Sequence, residues 1–96
     1  MNIDYEDIRQ MKRLDLPAIL QSYGNALKSK GPNSYMTLCS FHEDHNPSLS
    51  VTQRDDGVWL WHCFACRVGG TVIDFVMKKE NLSLQDTYSK LKSMIP

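Results

Sequence analysis

Two short clusters of cysteine and histidine are the residues of this sequence best suited to chemistry. The first is Cys39-Ser40-Phe41-His42, the second is Cys63-Phe64-Ala65-Cys66, and residues 43–62 lie between them. Two residues between paired ligands is the spacing of a knuckle, a tight turn that wraps around a tetrahedral metal ion. We therefore predict that a single Zn²⁺ ion is bound by Cys39, His42, Cys63 and Cys66.

All three cysteines of the chain belong to these clusters. A disulfide is the alternative, but an odd number of cysteines would leave one thiol unpaired. Four protein ligands also fill a tetrahedral shell, which leaves no position at which zinc could activate water. The spacing therefore favours a structural ion, whose binding can contribute on the order of 10 kcal/mol to the folding of a small domain.

Length and charge narrow the classes of function. The 96 residues suit one domain spanning 1–96, and 11 basic and 11 acidic residues give a formal net charge of zero. Because affinity for phosphates rises with the number of cationic contacts, any binding of nucleic acid must be local. No apolar run approaches the ~20 residues of a membrane span, and the acidic amino terminus is unlike a secretion signal. We expect a cytoplasmic protein with reduced thiols and no membrane contact.

Helical patterns flank the metal ligands on both sides. Two helices are predicted within about 4–24 and two more within about 71–95, each with an apolar side that can pack on a sheet. Gly24 ends the second of these helices. The expected N-caps are, in chain order, Asp4 or Asn2, then Asp15, Thr71 and Ser83.

The intervening segment, about 28–70, has the pattern of a small antiparallel sheet. Strands are predicted over 35–39, 49–53 and 58–64, with Asp55-Asp56-Gly57 as the hairpin turn between the last two. The first and third strands each lead into a knuckle, and Gly69-Gly70 ends the segment. The predicted fold class is α+β: a zinc ribbon with two Cys/His knuckles, flanked by amino-terminal and carboxy-terminal helices.

Other histidines and aromatic residues lie close to the ligands. His62 directly precedes Cys63 in an extended segment, so its side chain should point to the opposite face, where it either packs or forms part of a functional surface. His45 lies on the turn of the first knuckle and is most simply solvated. Phe41 and Phe64, inside the knuckles, are expected to shield the metal from water.

Several short segments around the ligands occur in an order that resembles a known family. They are Cys39-Ser40-Phe41-His42, Pro47-Ser48-Leu49-Ser50-Val51, His62-Cys63-Phe64-Ala65-Cys66, Gly69-Gly70 and Ile73-Asp74-Phe75-Val76-Met77. Together they are similar to the zinc-binding domain of bacterial-type DNA primases, the CHC2 zinc finger family. The resemblance covers nearly the whole chain, including the amino-terminal helices.

The resemblance implies a function in DNA replication. In that family the domain opens a longer enzyme with an RNA polymerase core of the Toprim type and a helicase-interacting tail, engages the single-stranded DNA template and helps to select where primers begin. The implied partners are single-stranded DNA, a primase polymerase core in cis or in trans, and a replicative helicase. The implied cofactor is one structural Zn²⁺ ion.

Catalysis by this chain alone is not expected. Nucleotidyl transfer needs clustered carboxylates that bind magnesium, and the sequence supplies no such cluster; its tempting pairs are Asp55-Asp56 and Glu43-Asp44. The first pair is better explained as the tip of a hairpin. We therefore expect a module of a primase that does not polymerise nucleotides by itself.

The sequence departs from the family pattern at several positions. Ser40 stands where the family usually has proline, and Ala65 and Arg67 stand where it usually has glycine. His45-Asn46 replaces a usual lysine-threonine, and Pro32-Asn33-Ser34 replaces a glycine followed by a basic residue. The last two changes remove cationic positions and bring template affinity into question, whereas Arg67 restores one positive charge at the second knuckle.

Candidate DNA contacts are cationic and aromatic residues of the ribbon, because single strands are held by cations along the backbone and by aromatic faces under the bases. Trp59 and Trp61 share one face of a strand, and large aromatic residues on such a face can equally pack on helices. The predicted DNA contacts are Lys28, Lys30, Tyr35, Arg54, Trp61 and Arg67.

Two alternatives to a primase module remain open from the sequence. A freestanding DNA-binding zinc ribbon from a phage or mobile element would keep the fold without priming. A protein-docking ribbon would fit the neutral charge and the missing cations. Salt-sensitive binding of single-stranded DNA separates the docking function from the other two.

Overall fold

Four helices and five strands make up the part of the chain that the computed structural model describes, residues 3–43 and 45–96. Asn2, the alternative cap of the first helix, and Asp44 of the Glu43-Asp44 pair lie outside these residues. The elements in chain order are α1 (Tyr5–Met11), α2 (Leu16–Ser22), β1 (Lys28–Gly31), β2 (Ser34–Thr37), β3 (Leu49–Gln53), β4 (Trp59–Cys63), β5 (Val68–Gly70), α3 (Val72–Glu80) and α4 (Leu84–Lys92).

The helices begin at the predicted caps. The side chains of Asp4, Asp15 and Ser83 each accept a hydrogen bond from a backbone N–H in the first turn of their helix. At α3 the Asp74 carboxylate, in the first turn, accepts a hydrogen bond from the backbone N–H of the cap residue Thr71 at 2.8 Å. The predicted pattern of two helices on each side of the sheet segment is therefore confirmed.

The sheet is an antiparallel meander with its five strands in chain order. The sequence predicted three of these strands and missed both edge strands. Neither edge has an alternating apolar pattern, because β1 is Lys-Ser-Lys-Gly with every residue exposed and β5 is Val-Gly-Gly. Gly69-Gly70, the dipeptide predicted to end the ribbon, pairs with β4 as part of β5, the last strand of the sheet.

One face of the sheet packs on the helices. Val51 pairs with Trp61, and Leu49 pairs with Cys63, and all four are buried. The Trp61 indole N–H donates to the Thr71 carbonyl at 2.8 Å, which fixes the start of α3 against β4. Period-two alternation thus sends the largest apolar side chains of β3 and β4 into a common core with the helices.

The other face of the sheet has no helix over it among the described residues. Ser50 pairs with His62, and Thr52 pairs with Leu60, on the side opposite the core. Thr52 and His62 are exposed, and Ser50 and Leu60 are half-buried. We call this side the open face. Its residues are Ser50, Thr52, Leu60 and His62, together with Lys28, Met36 and Gly69, which pair in the same row.

The two ends of the chain are joined by a polar contact between α1 and α4. The Asp7 carboxylate accepts hydrogen bonds from the Lys92 ammonium and the Tyr88 hydroxyl, each at 2.5 Å. The Lys92 contact is the main reason that the pKa of Asp7 lies below its ordinary value, with the Tyr88 hydroxyl second.

No helix of the described chain has the length and apolar character needed to cross a bilayer.

Glycine is required at position 69, where β5 pairs closely with β4. A Cβ atom at this position would lie 2.6 Å from the Trp61 carbonyl oxygen and 3.1 Å from Nδ1 of His62. The Trp61 carbonyl belongs to the backbone and cannot rotate away, so any side chain would push the two strands apart. At Gly31, by contrast, an added Cβ would meet no atom within 4 Å.

We predict that Gly69→Ala destabilises the zinc-loaded protein by about 1–3 kcal/mol, the usual penalty for overpacking. Chemical denaturation at fixed zinc concentration measures the change. Gly31→Ala is a comparison of a different kind, because its added Cβ meets open space and its loss comes from the strain of a φ of +138°. A Gly69→Ala protein as stable as the wild type would contradict the close approach of β5 to β4.

Candidate metal centre

The four predicted ligands converge at one end of the sheet. One ligand atom from each of Cys39, His42, Cys63 and Cys66 can be chosen so that all four lie within 4.8 Å of one another. Cys39 Sγ lies 3.6 Å from Cys66 Sγ, and His42 Nδ1 lies 2.7 Å from Cys66 Sγ and 4.0 Å from Cys63 Sγ. Among the described residues, this is the group of Cys, His, Asp and Glu side chains that could hold a metal ion.

The number and type of these ligand atoms suit tetrahedral zinc. Zn–S bonds of about 2.3 Å and Zn–N bonds of about 2.0–2.1 Å place neighbouring ligand atoms about 3.8 Å (S to S) or about 3.5 Å (S to N) apart. The 3.6 Å between the Cys39 and Cys66 sulfurs is close to the first value, whereas His42 Nδ1 lies nearer to Cys66 Sγ (2.7 Å) and farther from Cys63 Sγ (4.0 Å) than the second value, so a bound ion would draw the imidazole to a position between these two sulfurs. Three sulfurs and one imidazole nitrogen form a closed donor set typical of structural zinc.

Each knuckle is closed by a backbone N–H that donates to sulfur. Cys39 follows the end of β2, and its Sγ accepts from the N–H of Phe41 at 3.3 Å. Cys63 is the last residue of β4, and its Sγ accepts from the N–H of Cys66 at 3.3 Å. Such bonds favour the thiolate, and they wrap the chain so that both sulfurs and the second ligand of each pair face the same point.

The thiols do not ionise equally well by themselves. Burial raises the pKa of Cys39 to about 12. Burial also opposes ionisation of Cys63, but the N–H of Cys66 and the hydroxyl of Ser48 lead a set of hydrogen bonds that outweigh it, and the pKa of Cys63 falls to about 7. A divalent cation bound by the sulfurs supplies the charge that holds all three as thiolates.

Two polar residues that support the knuckles were not identified from the sequence. Ser48 Oγ lies 3.5 Å from Cys63 Sγ, across the β3–β4 pair. The side-chain amide of Asn25 donates to the Thr37 hydroxyl at 3.2 Å and to the Leu38 carbonyl at 3.1 Å, just before the first ligand. Ser48 had a possible signal, because it directly precedes the strand residue that pairs with Cys63, whereas nothing local marks Asn25.

The aromatic residues of the two knuckles differ in environment. Phe41 is half-buried and packs on Trp61 and Phe75, with ring centroids 5.4 and 5.1 Å away, so it covers the core side of the site. Phe64 is 63% exposed and contacts the His62 ring at 4.9 Å. The expectation that both phenylalanines shield the metal was therefore wrong for Phe64, which lies towards solvent.

The other two histidines lie apart from the ligand group. His45 is exposed, and its Nε2 lies 3.8 Å from a carboxylate oxygen of Glu43. His62 is exposed on the open face, opposite the side of β4 that carries Cys63. Neither joins the four side chains that could hold a metal ion.

The predicted DNA contacts divide between the two faces of the sheet. Lys28 and Lys30 are exposed on β1, and Arg54 and Arg67 are exposed on turns. Trp61 is only 3% exposed and lies in the core, so a base cannot stack on it without unfolding the sheet–helix contact. The prediction that Trp61 contacts DNA was therefore wrong, because its ring is buried in the core.

Tyr35 is also on the side that packs on helices. It is half-buried, and its ring centroid lies 6.3 Å from that of Trp59. Together these rings line a cavity of about 580 Å³ between α2 and the β1–β2 hairpin. Tyr35 is therefore not part of the open face on which Lys28 lies.

The Asp55-Asp56 pair occupies a hairpin tip. One carboxylate oxygen of Asp56 accepts from the Val58 N–H at 3.0 Å, and the other lies 3.2 Å from a guanidinium nitrogen of Arg54. The pair therefore shapes the turn between β3 and β4, which is the explanation that the sequence favoured.

We predict that Cys63→Ser abolishes zinc binding and that His45→Ala leaves one zinc ion per chain. Loss of a ligand removes a binding energy on the order of 10 kcal/mol, which is comparable to the whole stability of a domain. Elemental analysis with circular dichroism, before and after chelation, measures metal content and folded structure. If His45→Ala proves as damaging as His42→Ala, the ligand set is wrong.

Arg67 provides a second prediction, because its φ of +59° is a left-handed conformation at the second knuckle. A side chain in this region costs about 1–2 kcal/mol, while glycine loses about 0.5–1 kcal/mol more in chain entropy on folding. Arg67→Gly should therefore stabilise the zinc-loaded protein by about 0.5–1 kcal/mol in denaturant unfolding.

Ala65→Gly is the matched control for that experiment, since Ala65 is not among the described residues with positive φ. This substitution should destabilise the protein by about 0.5–1 kcal/mol through chain entropy alone. Of the two positions where the resembling family usually has glycine, only that of Arg67 has a backbone reason for it here. Stabilisation by both substitutions would contradict this explanation.

Comparison with known proteins agrees with the geometry. The model of the CHC2 zinc finger family matches residues 3–96. The DNA primase of Helicobacter pylori (strain 26695) is 39% identical over 83 residues, which cover 86% of this chain and 14% of that protein. The DNA primase of Mycoplasma genitalium is 34% identical over 80 residues, which cover 83% of this chain and 12% of that protein.

A solved structure gives the same result. The crystal structure of the zinc-binding and RNA polymerase domains of Aquifex aeolicus primase superposes with a TM-score of 0.71 at 30% identity, covering 93% of this chain and 21% of that one. This chain therefore spans only a small part of the length of the curated primases it matches. The four ligands form the closed Cys₃His set of a structural zinc site, and the family model matches residues 3–96. The chain therefore belongs to the CHC2 zinc finger family.

Proposed function

We propose that this chain is the zinc-binding domain of a DNA primase, spanning residues 1–96, and that it holds single-stranded DNA for RNA primer synthesis by a separate polymerase core of the Toprim type. The observation that carries the proposal is the open face, a solvent-facing side of the sheet bordered by cations and exposed aromatic rings. Zinc bound by Cys39, His42, Cys63 and Cys66 would hold this face rigid and take no part in chemistry.

The register of the strands supports the proposal. Lys28 pairs with Met36, Met36 with Ser50, Ser50 with His62 and His62 with Gly69. Side chains directly opposite one another in antiparallel strands lie on the same side of the sheet, so these residues form one row across the open face. Lys30 lies two residues from Lys28 on β1, next to an irregularity in the register.

Exposed rings at one end of this row suit base stacking. His62 and Phe64 contact each other edge to face, with ring centroids 4.9 Å apart. Phe64 is 63% exposed, and it projects from the knuckle that also carries Arg67. Single-strand binding proteins combine such rings with cations along the backbone, at about 1–3 kcal/mol per stacked base. We propose that Phe64 and His62 serve in the place of Trp61.

The partners follow from the same proposal. A domain without clustered carboxylates needs a polymerase core, in cis or in trans, and a replicative helicase is the further partner that the family implies. The primase of Aquifex aeolicus carries zinc-binding and RNA polymerase domains in one chain. Adding this domain to a matched core that lacks its own zinc domain should stimulate primer synthesis.

We predict that Phe64→Ala weakens binding of a labelled single-stranded oligonucleotide by about tenfold, within the range of one lost stacking contact. Leu84→Ala is the control, because Leu84 is an exposed apolar residue of α4, 44% exposed and distant in sequence from the open face. Fluorescence anisotropy at several salt concentrations measures affinity and its salt dependence. If the protein shows no salt-sensitive binding at all, the docking function replaces this one.

A further inference from the structure

A concentration of positive charge lies where the α1 region meets the β3–β4 hairpin. Arg9, Lys12 and Arg13 of the α1 region and Arg54 after β3 line a cleft of about 330 Å³, with Val58 and Leu60 among its other lining residues. We call it the basic cleft. Four of the chain's eleven cations lie here although the formal net charge of the sequence is zero.

The cleft is held together by contacts between two parts of the chain that are far apart in sequence. The Arg13 Nε donates to the Asp56 carbonyl at 2.8 Å, and the Trp59 N–H donates to the Lys12 carbonyl at 3.0 Å. Gly57, with a φ of +91°, allows the Arg13 side chain to lie close, since a Cβ there would be 3.3 Å from Arg13 Cδ. The cations are therefore mounted on a fixed junction of α1 and the β3–β4 hairpin.

Little negative charge opposes these cations within the cleft. Asp56 is the carboxylate among the lining residues, and its two oxygens are directed to the Val58 N–H and to Arg54. Arg9 lies 3.7 Å from Glu6, and both side chains are more than half exposed. Exposed ion pairs of this kind contribute about 0–1 kcal/mol, so an incoming phosphate can compete with them.

The basic cleft adjoins the open face. Leu60 lines both the cleft and a groove of about 360 Å³ on the open face that also includes Thr52, His62 and Gly69. A single strand of nucleic acid that lies in this groove would reach the cations after passing over Leu60. The described residues that line the cleft include no aromatic ring on which a base could stack, and that composition favours backbone phosphates over whole nucleotides.

We propose that the basic cleft binds phosphate groups and that, when this domain holds a template, it takes the phosphodiester backbone of the strand where it leaves the open face. This inference deepens the proposed function and rests on it for the identity of the strand. Arg9 and Lys12 supply charge to the phosphates, whereas Arg13 positions the hairpin as well. The free triphosphate of a nucleotide is the other source of the same chemistry.

The test is oligonucleotide binding by Arg9→Gln/Lys12→Gln, which removes two cations and leaves Arg13 in place. Each phosphate contact contributes about 0.7 to the slope of log affinity against log salt for a single strand, so the slope should fall by about 1–1.4 and affinity at low salt by about tenfold. Lys79→Gln/Lys90→Gln, on α3 and α4, is the matched control and should leave both unchanged. Zinc content and thermal unfolding confirm that each variant is folded.

Two further arms separate the possible failures. Lys28→Gln/Lys30→Gln reports on the open face: if it weakens binding while Arg9→Gln/Lys12→Gln behaves like the control, the proposed function stands and the cleft inference is overturned. Titration with ATP and with tripolyphosphate tests the other source. If Arg9→Gln/Lys12→Gln abolishes the binding of ATP and tripolyphosphate but leaves oligonucleotide binding unchanged, the assignment of the cleft to the phosphodiester backbone is overturned. Binding of neither ligand class to the wild-type protein overturns the cleft altogether.

Discussion

Three sulfurs and one imidazole nitrogen held within 4.8 Å of one another form the constraint on which the sheet depends. Three ionised thiols at this separation repel each other, and burial already opposes ionisation of Cys39 and Cys63. A divalent cation reverses that balance and ties the end of β2 to the end of β4. A domain of this size buries only somewhat more than ~60% of its extended surface, so its net stability is small and a metal ion that contributes on the order of 10 kcal/mol can match it.

The metal constraint and the aromatic core act on the same strand. Cys63 and Trp61 are two apart on β4, so both point to the helix side, where Trp61 contacts Phe75 and donates to the Thr71 carbonyl. Phe41, from the first knuckle, packs on the same two rings. The zinc site is thus continuous with the core. The open face, on the other side of the pleat, is fixed in shape without having to contribute to the packing.

The sequence was most informative where the interactions are local. Ligand spacing within a knuckle and helix capping both depend on residues only a few positions apart. The four ligand side chains come together, and the helices begin at the predicted caps, Asp4, Asp15, Thr71 and Ser83. Alternation showed that Trp59 and Trp61 share a face, but it could not show which face the helices cover. That choice is made by α3, whose contacts with β4 are long-range.

The parts that could not be predicted share a different physical origin. β1 has no apolar residue and forms only because β2 offers an unpaired edge, and β5 exists because two glycines allow close approach to β4. The left-handed conformation of Arg67 is likewise imposed by closure of the knuckle and not by the preference of arginine. Long-range pairing and ring closure leave weak signals in a single sequence, since no neighbouring residue carries them.

Net charge is a poor guide to what this surface can bind. The 11 basic and 11 acidic residues cancel in sum, but they are not mixed evenly in space. Asp7 and Glu80 are engaged by Lys92 and Lys90. Arg9, Lys12, Arg13 and Arg54 gather beside the open face, where Asp56 is the carboxylate among the described residues lining the cleft and Glu6 lies beside Arg9 at the surface. Because screening limits the reach of a charge to about 8–10 Å at moderate salt, a strand responds to the local cluster and not to the total. A formally neutral domain can therefore have a salt-sensitive interface, provided that its fold separates the charges that its sequence balances.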